Sequence, residues 1–281
     1  VLAQVGIGTN TPNASAQLDV TSTVKGFLPP RMTSQQRDAI SSPANGLVIF
    51  NTTTNCLNFY VVDGWHEACG TRTYPDGSVF CGVQTAVVNV TNPLTGKIWM
   101  DRNLGATQKA TSSVDANGYG DLYQWGRRSD GHQCRTPIFS TTGTLSSVDQ
   151  PADGGFIGAP NAPYDWRSPQ NNNLWQGVNG ANNPCPGGYR LPTETELNNE
   201  RLSWATNDSY GALASPLKWT MAGGRDGSTA VVDYAGTNGF YWSSTVSNTF
   251  ARFLFFNGFN AAIVANNRAN GYSVRCIKGS N

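Results

Sequence analysis

Tyr241-Trp-Ser-Ser244, Ala251-Arg-Phe-Leu-Phe-Phe256 and, after an Asn-, Ala- and Gly-rich run, Gly271-Tyr-Ser-Val-Arg-Cys276 stand close to the end of the chain. Read at period 2, residues 251 to 257 place Arg252, Leu254 and Phe256 on one face. Ala251, Phe253, Phe255 and Asn257 fall on the other. Both faces are largely apolar, although the flanking sequence is polar and rich in Asn. Such a strand is either buried on both sides or presents its aromatic side chains. We read it as presenting them. Leu254 and Phe256 then point into a core, Phe253 and Phe255 point outward, and Tyr272 joins them as contact surface.

Outward from this strand, composition narrows the function. The chain has 281 residues, a net charge of +1 and only 13% charged residues. So neutral a chain points to neither nucleic acid nor an anionic membrane. No apolar run is long enough to span a bilayer. The 31 glycines and 15 prolines, with abundant Asn, Thr and Ser, favour a loop-rich, β-leaning α+β protein. The six cysteines, Cys56, Cys69, Cys81, Cys134, Cys185 and Cys276, form no CxxC or Cys/His cluster, so neither a metal site nor a cofactor is implied. Their even number fits an oxidising compartment; six free thiols in a reducing one is the alternative. Val1-Leu-Ala-Gln4 has small and apolar residues where a signal-peptide cleavage site carries them, and Val1 is expected at or near the processed end of an exported precursor.

Two units are expected, 1–70 and 71–281. In the first, Val5-Gly-Ile-Gly-Thr9 and Gln17-Leu-Asp-Val20 read as extended segments. Gly26-Phe-Leu-Pro-Pro-Arg-Met32 cannot be helical through its prolines. Thr33-Ser-Gln-Gln36 reads as a capping box opening a short helix to about Ile40. Gly46-Leu-Val-Ile-Phe-Asn51 and Cys56-Leu-Asn-Phe-Tyr-Val-Val62 read as a hairpin closed by Gly64-Trp65. A core this thin calls for self-association or a Cys56–Cys69 bridge. These motifs resemble the short modules of phage tail-fibre proteins and of exported Bacteroidetes-type proteins. The resemblance implies a stalk or attachment module in a homo-oligomer, a trimer by preference. A small β domain with no assembly role is the alternative.

Tyr74-Pro-Asp-Gly77 marks the boundary. Beyond it the pattern predicts a β-rich opening (Thr85 to Met100), a helix around Gly120 to Arg128, and an irregular region from Thr136 to Pro186. A second helix is capped by Thr193 and Glu196 and runs to about Trp204, followed by short strands. Trp99-Met-Asp-Arg-Asn-Leu-Gly-Ala106, Gly120-Asp-Leu-Tyr-Gln-Trp-Gly126, Asp165-Trp-Arg-Ser-Pro-Gln-Asn-Asn-Asn-Leu-Trp175, Cys185-Pro-Gly-Gly-Tyr-Arg-Leu-Pro-Thr193, Tyr241-Trp-Ser-Ser244 and Val274-Arg-Cys276 follow in this order. The series resembles the Fibrobacter succinogenes major paralogous domain and the variable proteins of diversity-generating retroelements. Both resemblances imply a C-type-lectin-like fold over roughly residues 75 to 278. A Cys185–Cys276 bridge would close a loop of about 90 residues, worth on the order of 4 kcal/mol in the chain-entropy model; Cys81–Cys134 would be the remaining pair. Trp99, Trp125, Trp166, Trp175 and Trp242 are expected as core and loop anchors. Asp101, Arg102, Asp121 and Arg190 are candidates for internal ion pairs.

In the retroelement proteins a C-terminal stretch is rewritten at template adenines. Asn codons ending in a pyrimidine can become Phe, Tyr, Ala, Val or Gly. By that resemblance Phe250, Phe253, Phe255, Gly258, Phe259, Ala262, Val264, Ala265 and Tyr272 read as diversified positions. Asn257, Asn260, Asn266, Asn267 and Asn270 read as unrewritten template. Together they would form a ligand face for a protein or glycan at a cell surface. An ordinary Asn-rich β region with buried phenylalanines is the alternative. An enzyme is not indicated: His66 and His132 are the only near-neutral bases, and neither has a nucleophile at a recognised spacing. The formylglycine-generating relatives need a close cysteine pair, which Cys276 lacks in sequence, and the calcium-lectin triplets are absent. Four glycosylation sequons, at Asn13, Asn51, Asn89 and Asn207, are short enough to arise by chance. The expectation is a non-enzymatic adhesin or receptor-binding protein, secreted, on a cell surface or on a phage virion fibre. A structural subunit of a fibre or surface assembly is the alternative.

Overall fold

The computed structural model describes residues 4–53, 56–62, 64–68, 74–138 and 140–279. The chain divides into two compact units, Val1–Thr71 and Arg72–Asn281.

The first unit is small and β-rich. Strands β1 (Val5–Ile7) and β2 (Leu18–Val20) pair in parallel. Strands β3 (Arg31–Met32), β4 (Val48–Asn51), β5 (Cys56–Val61) and β6 (Gly64–Ala68) form a second sheet in that order. Helix α1 (Ser34–Asp38) starts at the expected capping box: Thr33 accepts from the Gln36 backbone, and Gln36 returns the bond to Thr33. The expected hairpin is β4–β5, and β6 extends it. The buried side of β4–β5 is half polar. Ile49 and Cys56 sit beside Asn51 and Asn58, and the Asn51 amide donates to Asn58 at 2.9 Å. The expected Cys56–Cys69 pairing involves Cys69, outside the described residues.

The second unit is a larger mixed α+β domain with few short helices. Strands β7 (Asn89–Thr91), β8 (Ile98–Met100), β10 (Tyr189–Arg190) and β17 (Ile277–Lys278) form one sheet. The other follows the order β15 (Ala261–Asn267), β14 (Phe250–Asn257), β13 (Asn238–Ser247), β11 (Ala222–Arg225), β16 (Gly271–Tyr272) and β9 (Tyr123–Gln124). Strand β12 (Val232–Ala235) pairs with β11. Helix α2 (Glu194–Leu202) carries the full Thr193/Glu196 capping box, and Asp208 caps α3 (Ser209–Ala214). Cys185–Cys276 and Cys81–Cys134 are bridged. The first closes a separation of 91 residues, which the chain-entropy model values at about 4.5 kcal/mol.

The strand Phe250–Asn257 lies between two cores. On one side Leu254 and Phe256 join Tyr241, Trp99, Trp204, Trp219 and the apolar side of α2 and α3. On the other, Phe253 joins Trp125, Trp175, Trp242, Tyr272 and the Cys185–Cys276 bridge. The sides alternate as expected, but Phe253 is only 4% exposed and Tyr272 6%. The reading of Phe253 and Tyr272 as outward contact surface is therefore corrected. Their cover comes from Phe240 and Trp242 on the neighbouring strand, whose rings lie 6.1 and 5.7 Å from Phe253. The Phe253 and Tyr272 rings lie 4.9 Å apart.

The helix expected around Gly120 to Arg128 does not form either. Gly120 and Gly126 sit at φ +68° and +84°, outside the helical region. The residues between them bond outward instead: Leu122 N–H donates to Gln133 C=O, and Trp125 N–H to Arg268 C=O. The five tryptophans expected as anchors are all buried, and four fasten loops by indole N–H bonds to carbonyls, those of Ser243, Trp125, Asn182 and Tyr123. Buried arginines do the same with several donors each. Arg225 holds the carbonyls of His132, Cys134 and Arg135; Arg275 holds Asn103 Oδ1 and Leu217 C=O. Of the expected ion-pair residues, Arg102 pairs with Asp101 and Arg190 with Glu196, each at 2.7 Å. Asp121 makes no ion pair among the described residues.

Candidate functional site

The Phe253 side of the sheet is unburied at one end and borders a groove. Strand register puts Phe255, Ala262, Val264 and Asn266 on that side, with Phe253 beneath them. Phe255, Ala262, Val264, Asn266 and Asn270 are half-buried. Beside them lies a groove of about 620 Å³ lined by the β11–β12 hairpin, Phe240, Asn266, Asn270 and Tyr272. Phe240 stacks on Tyr272 at 4.9 Å and 16°, and Tyr234 meets Phe240 edge-on at 6.2 Å.

The other residues of the expected ligand face lie elsewhere. Phe250, Ala265 and Asn267 fall on the opposite side of the sheet by register. Asn257, Gly258, Phe259 and Asn260 make the β14–β15 turn, where Asn257 Oδ1 accepts from the backbone of Phe259 and Asn260. Phe259 is 94% exposed at its tip. The fourteen-residue set is thus split between a groove edge, a hairpin tip and a reverse side. The groove also uses Asp226, Asp233, Tyr234 and Phe240, which lie upstream of the stretch singled out in the sequence. The signals available for them were turn-forming Asp226-Gly-Ser-Thr229 and Gly236-Thr-Asn-Gly239 around an apolar–polar alternation.

His132 is not available as a base. His132 is fully enclosed. Its Nε2 accepts from the Gln124 backbone at 3.0 Å, and its Nδ1 lies 2.6 Å from Asp130 Oδ1. Burial and the neighbouring Arg127 push the imidazole down to about 4, against the pull of Asp130. The neutral ring thus donates to Asp130 and accepts from the backbone, which leaves no lone pair for a substrate. His66 is an exposed residue of β6, its ring 5.7 Å from that of Phe59. Among the described residues no group of three or more His, Cys, Asp or Glu stands close enough to hold a metal ion. No helix among them is long and apolar enough to cross a membrane.

The first unit offers a different surface. In β1–β2 the register Val5↔Leu18, Ile7↔Val20 gathers four aliphatic side chains on one face, all between 39% and 56% exposed. The opposite face, Gly6 and Asp19, is occupied by the chain itself. Asp19 accepts from the Asn13 backbone, and a Cβ on Gly6 would meet Thr9 C=O at 2.6 Å. In β4–β5 the outer face is Val48, Phe50, Leu57 and Phe59, with Val48 and Leu57 43% and 42% exposed. No hydrophobic cluster of buried residues occurs among the described residues of this unit; all three lie in the second. Among the described residues of this unit, more large apolar side chains are exposed than buried.

Residues 6–81 match the family model described as "Phage tail like trimerisation region". The match takes in the first unit from Gly6 onward and reaches Cys81; residues 1–5 and 82–281 lie outside it. Neither a curated protein nor a solved structure matches the chain.

Proposed function

We propose that the chain is a non-catalytic structural subunit of a trimeric, fibre-like assembly, displayed on a virion or cell surface. The observation that carries this reading is the coincidence of the trimerisation-region match with the two open apolar faces, Val5/Ile7/Leu18/Val20 and Val48/Phe50/Leu57/Phe59. Isolated, a unit with so little core is marginal; three copies facing one another would enclose these side chains. The two bridges of the second unit fit an oxidising location. Deleting residues 1–70 tests the assignment of assembly to the first unit. The remainder should stay folded, with its cores and bridges, and run as a monomer in light scattering. Retention of the parent's mass would remove the proposal.

A second reading, that the second unit is a receptor-binding head, is supported by the groove beside Tyr272 and by the protruding Phe259. Its finer form, a C-type-lectin-like domain with a retroelement-diversified face, rests on the order of the sequence motifs. The burial of Phe253 takes one of its strongest contact residues away, and Tyr272, also buried, meets the surface only along the groove. A near-copy of the segment encoding Phe250 to Tyr272 beside a reverse-transcriptase gene would support that form, and its absence would leave an ordinary Asn-rich hairpin.

A further inference from the structure

The groove lined by the β11–β12 hairpin, Phe240 and Tyr272 has an unbalanced hydrogen-bond inventory. The Asn266 and Asn270 side chains both face the Tyr272 phenol. Their orientations are fixed from behind, because Asn266 Oδ1 accepts from Asn267 N–H and Asn270 Oδ1 from Gly227 N–H, each at 2.8 Å. Both amide nitrogens therefore donate to the phenol oxygen, at 2.7 and 3.3 Å. Those two bonds fill its acceptor capacity. The phenol hydrogen has no acceptor among the described residues, although the side chain is 94% enclosed by the fold (6% exposed). Burial also holds this phenol protonated, far above the ordinary tyrosine range.

Besides the buried Arg225, the rest of the groove offers acceptors and ring faces. Asp226 spends one oxygen, Oδ1, on Ser228 N–H, Thr229 N–H and the Thr229 hydroxyl. Its Oδ2 has no bonded partner among the described residues. Asp233 is exposed and has none for either oxygen. Phe240 lies parallel to Tyr272, and Tyr234 stands edge-on to it, 63% exposed and held at φ +63°. A bulky residue in the left-handed region is an uncommon backbone state. Here it is pinned by the Thr237 N–H and hydroxyl bonds to the Tyr234 carbonyl.

An occupant must therefore accept from one buried phenol, donate to carboxylates, and cover aromatic surface. An ammonium group donates but cannot accept. An anion accepts but is repelled by both carboxylates, and the one cation in the lining, Arg225, has its terminal nitrogens committed to the carbonyls of His132, Cys134 and Arg135. A hydroxyl group does both, and adjacent hydroxyls on a ring with an apolar C–H face meet all three demands. We propose that this groove binds a neutral, hydroxyl-rich ring, a pyranose unit of a glycan. The inference gives the receptor-binding reading a ligand chemistry and is independent of trimerisation, because every group involved belongs to the second unit.

The test is capture of the labelled full chain on an array of neutral, amino-bearing and acidic glycans. The best neutral hit is then titrated as the free methyl glycoside, so that the readout is monovalent and indifferent to oligomeric state. We expect retention on neutral glycans and none on sialylated or sulfated ones. Asp233→Asn and Tyr234→Ala, both at exposed positions, should each weaken binding at least about tenfold, the order expected for one good contact, without lowering the melting temperature. Tyr272→Phe should weaken binding likewise; because it also strands the Asn266 and Asn270 amides it should lower the melting temperature, so it checks the phenol donor only beside the two exposed-site variants. An array silent for neutral glycans overturns the proposal, as does capture of acidic glycans alone. So does binding confined to tetramethylammonium or poly-lysine, or neutral-glycan binding that both exposed-site variants leave intact. In each of those cases the mass of the assembly, measured separately, still decides the structural reading.

Discussion

Phe253→Ala separates a core ring from a contact ring. Phe253 is 4% exposed and touches Trp242, Tyr272 and Phe240 at ring distances of 5.7, 4.9 and 6.1 Å. Truncating a buried Phe costs about 3–5 kcal/mol, through lost transfer energy and the cavity left behind. Three aromatic neighbours place this site in the upper part of that range, about 4–5 kcal/mol. For a domain of this size each kcal/mol moves the melting temperature by about 2–4 °C, so a fall of about 8–20 °C is expected. Phe259→Ala is the matched control: the same residue type on the same hairpin, but 94% exposed. It should change stability by less than about 0.5 kcal/mol. Calorimetry of both variants and the parent measures the contrast. If Phe253→Ala melts within a degree or two of Phe259→Ala, the ring is not part of the core, and the two-sided packing of this strand is wrong.

Three further outcomes follow from the interior of the second unit. The Glu200 carboxylate receives Asn92 Nδ2, Ser215 Oγ and the indoles of Trp204 and Trp219 at 2.5, 2.6, 3.2 and 3.1 Å; Glu200→Ala strands these donors and should cost at least about 3 kcal/mol in urea unfolding, a loss that Glu200→Gln, which keeps one acceptor, should partly restore. Burial pushes the Asp121 carboxyl from 3.8 up to about 7, despite Arg135 and Arg225 nearby. Its contribution to stability is therefore complete below about pH 4 and lost as pH rises through 7, so Asp121→Asn should gain on the parent steadily between pH 4 and 8, and a pH-independent difference would refute this. His132, lowered to about 4 from 6.5, works the other way, losing its contribution as pH falls from 6.5 through 4; His132→Gln should flatten the parent's acid-side decline, as followed by thermal melts at stepped pH.

What was legible in the sequence was what is decided locally. Thr33-Ser-Gln-Gln36 and Thr193-Glu-Thr-Glu196 each specify a helix start within four residues, and both form with reciprocal bonds. The β4–β5 hairpin is likewise a matter of two adjacent runs. The segment Gly120–Arg128 misled because its apolar residues fit a helix, while its course is set by partners far away, Gln133 and Arg268 among them. The face of Phe253 could not be read from its own strand: alternation placed it opposite Leu254, but whether that side is covered depends on Phe240, Trp242 and Tyr272. The groove was missed for the same reason. Asp226, Asp233 and Tyr234 reach Tyr272 only through the pairing of β11 with β12 and β16.

The central claim, assembly through the first unit, is tested most directly by the mass of the full chain in solution. Sedimentation equilibrium at micromolar concentration should give about three times the mass of one chain. Ile7→Asp, which puts a charge into the β1–β2 face, and Leu57→Asp, which does so in the β4–β5 face, should each shift that mass toward one chain while the second unit keeps its melting transition. A single-chain mass for the parent, or a trimer that survives both substitutions undiminished, would contradict the account.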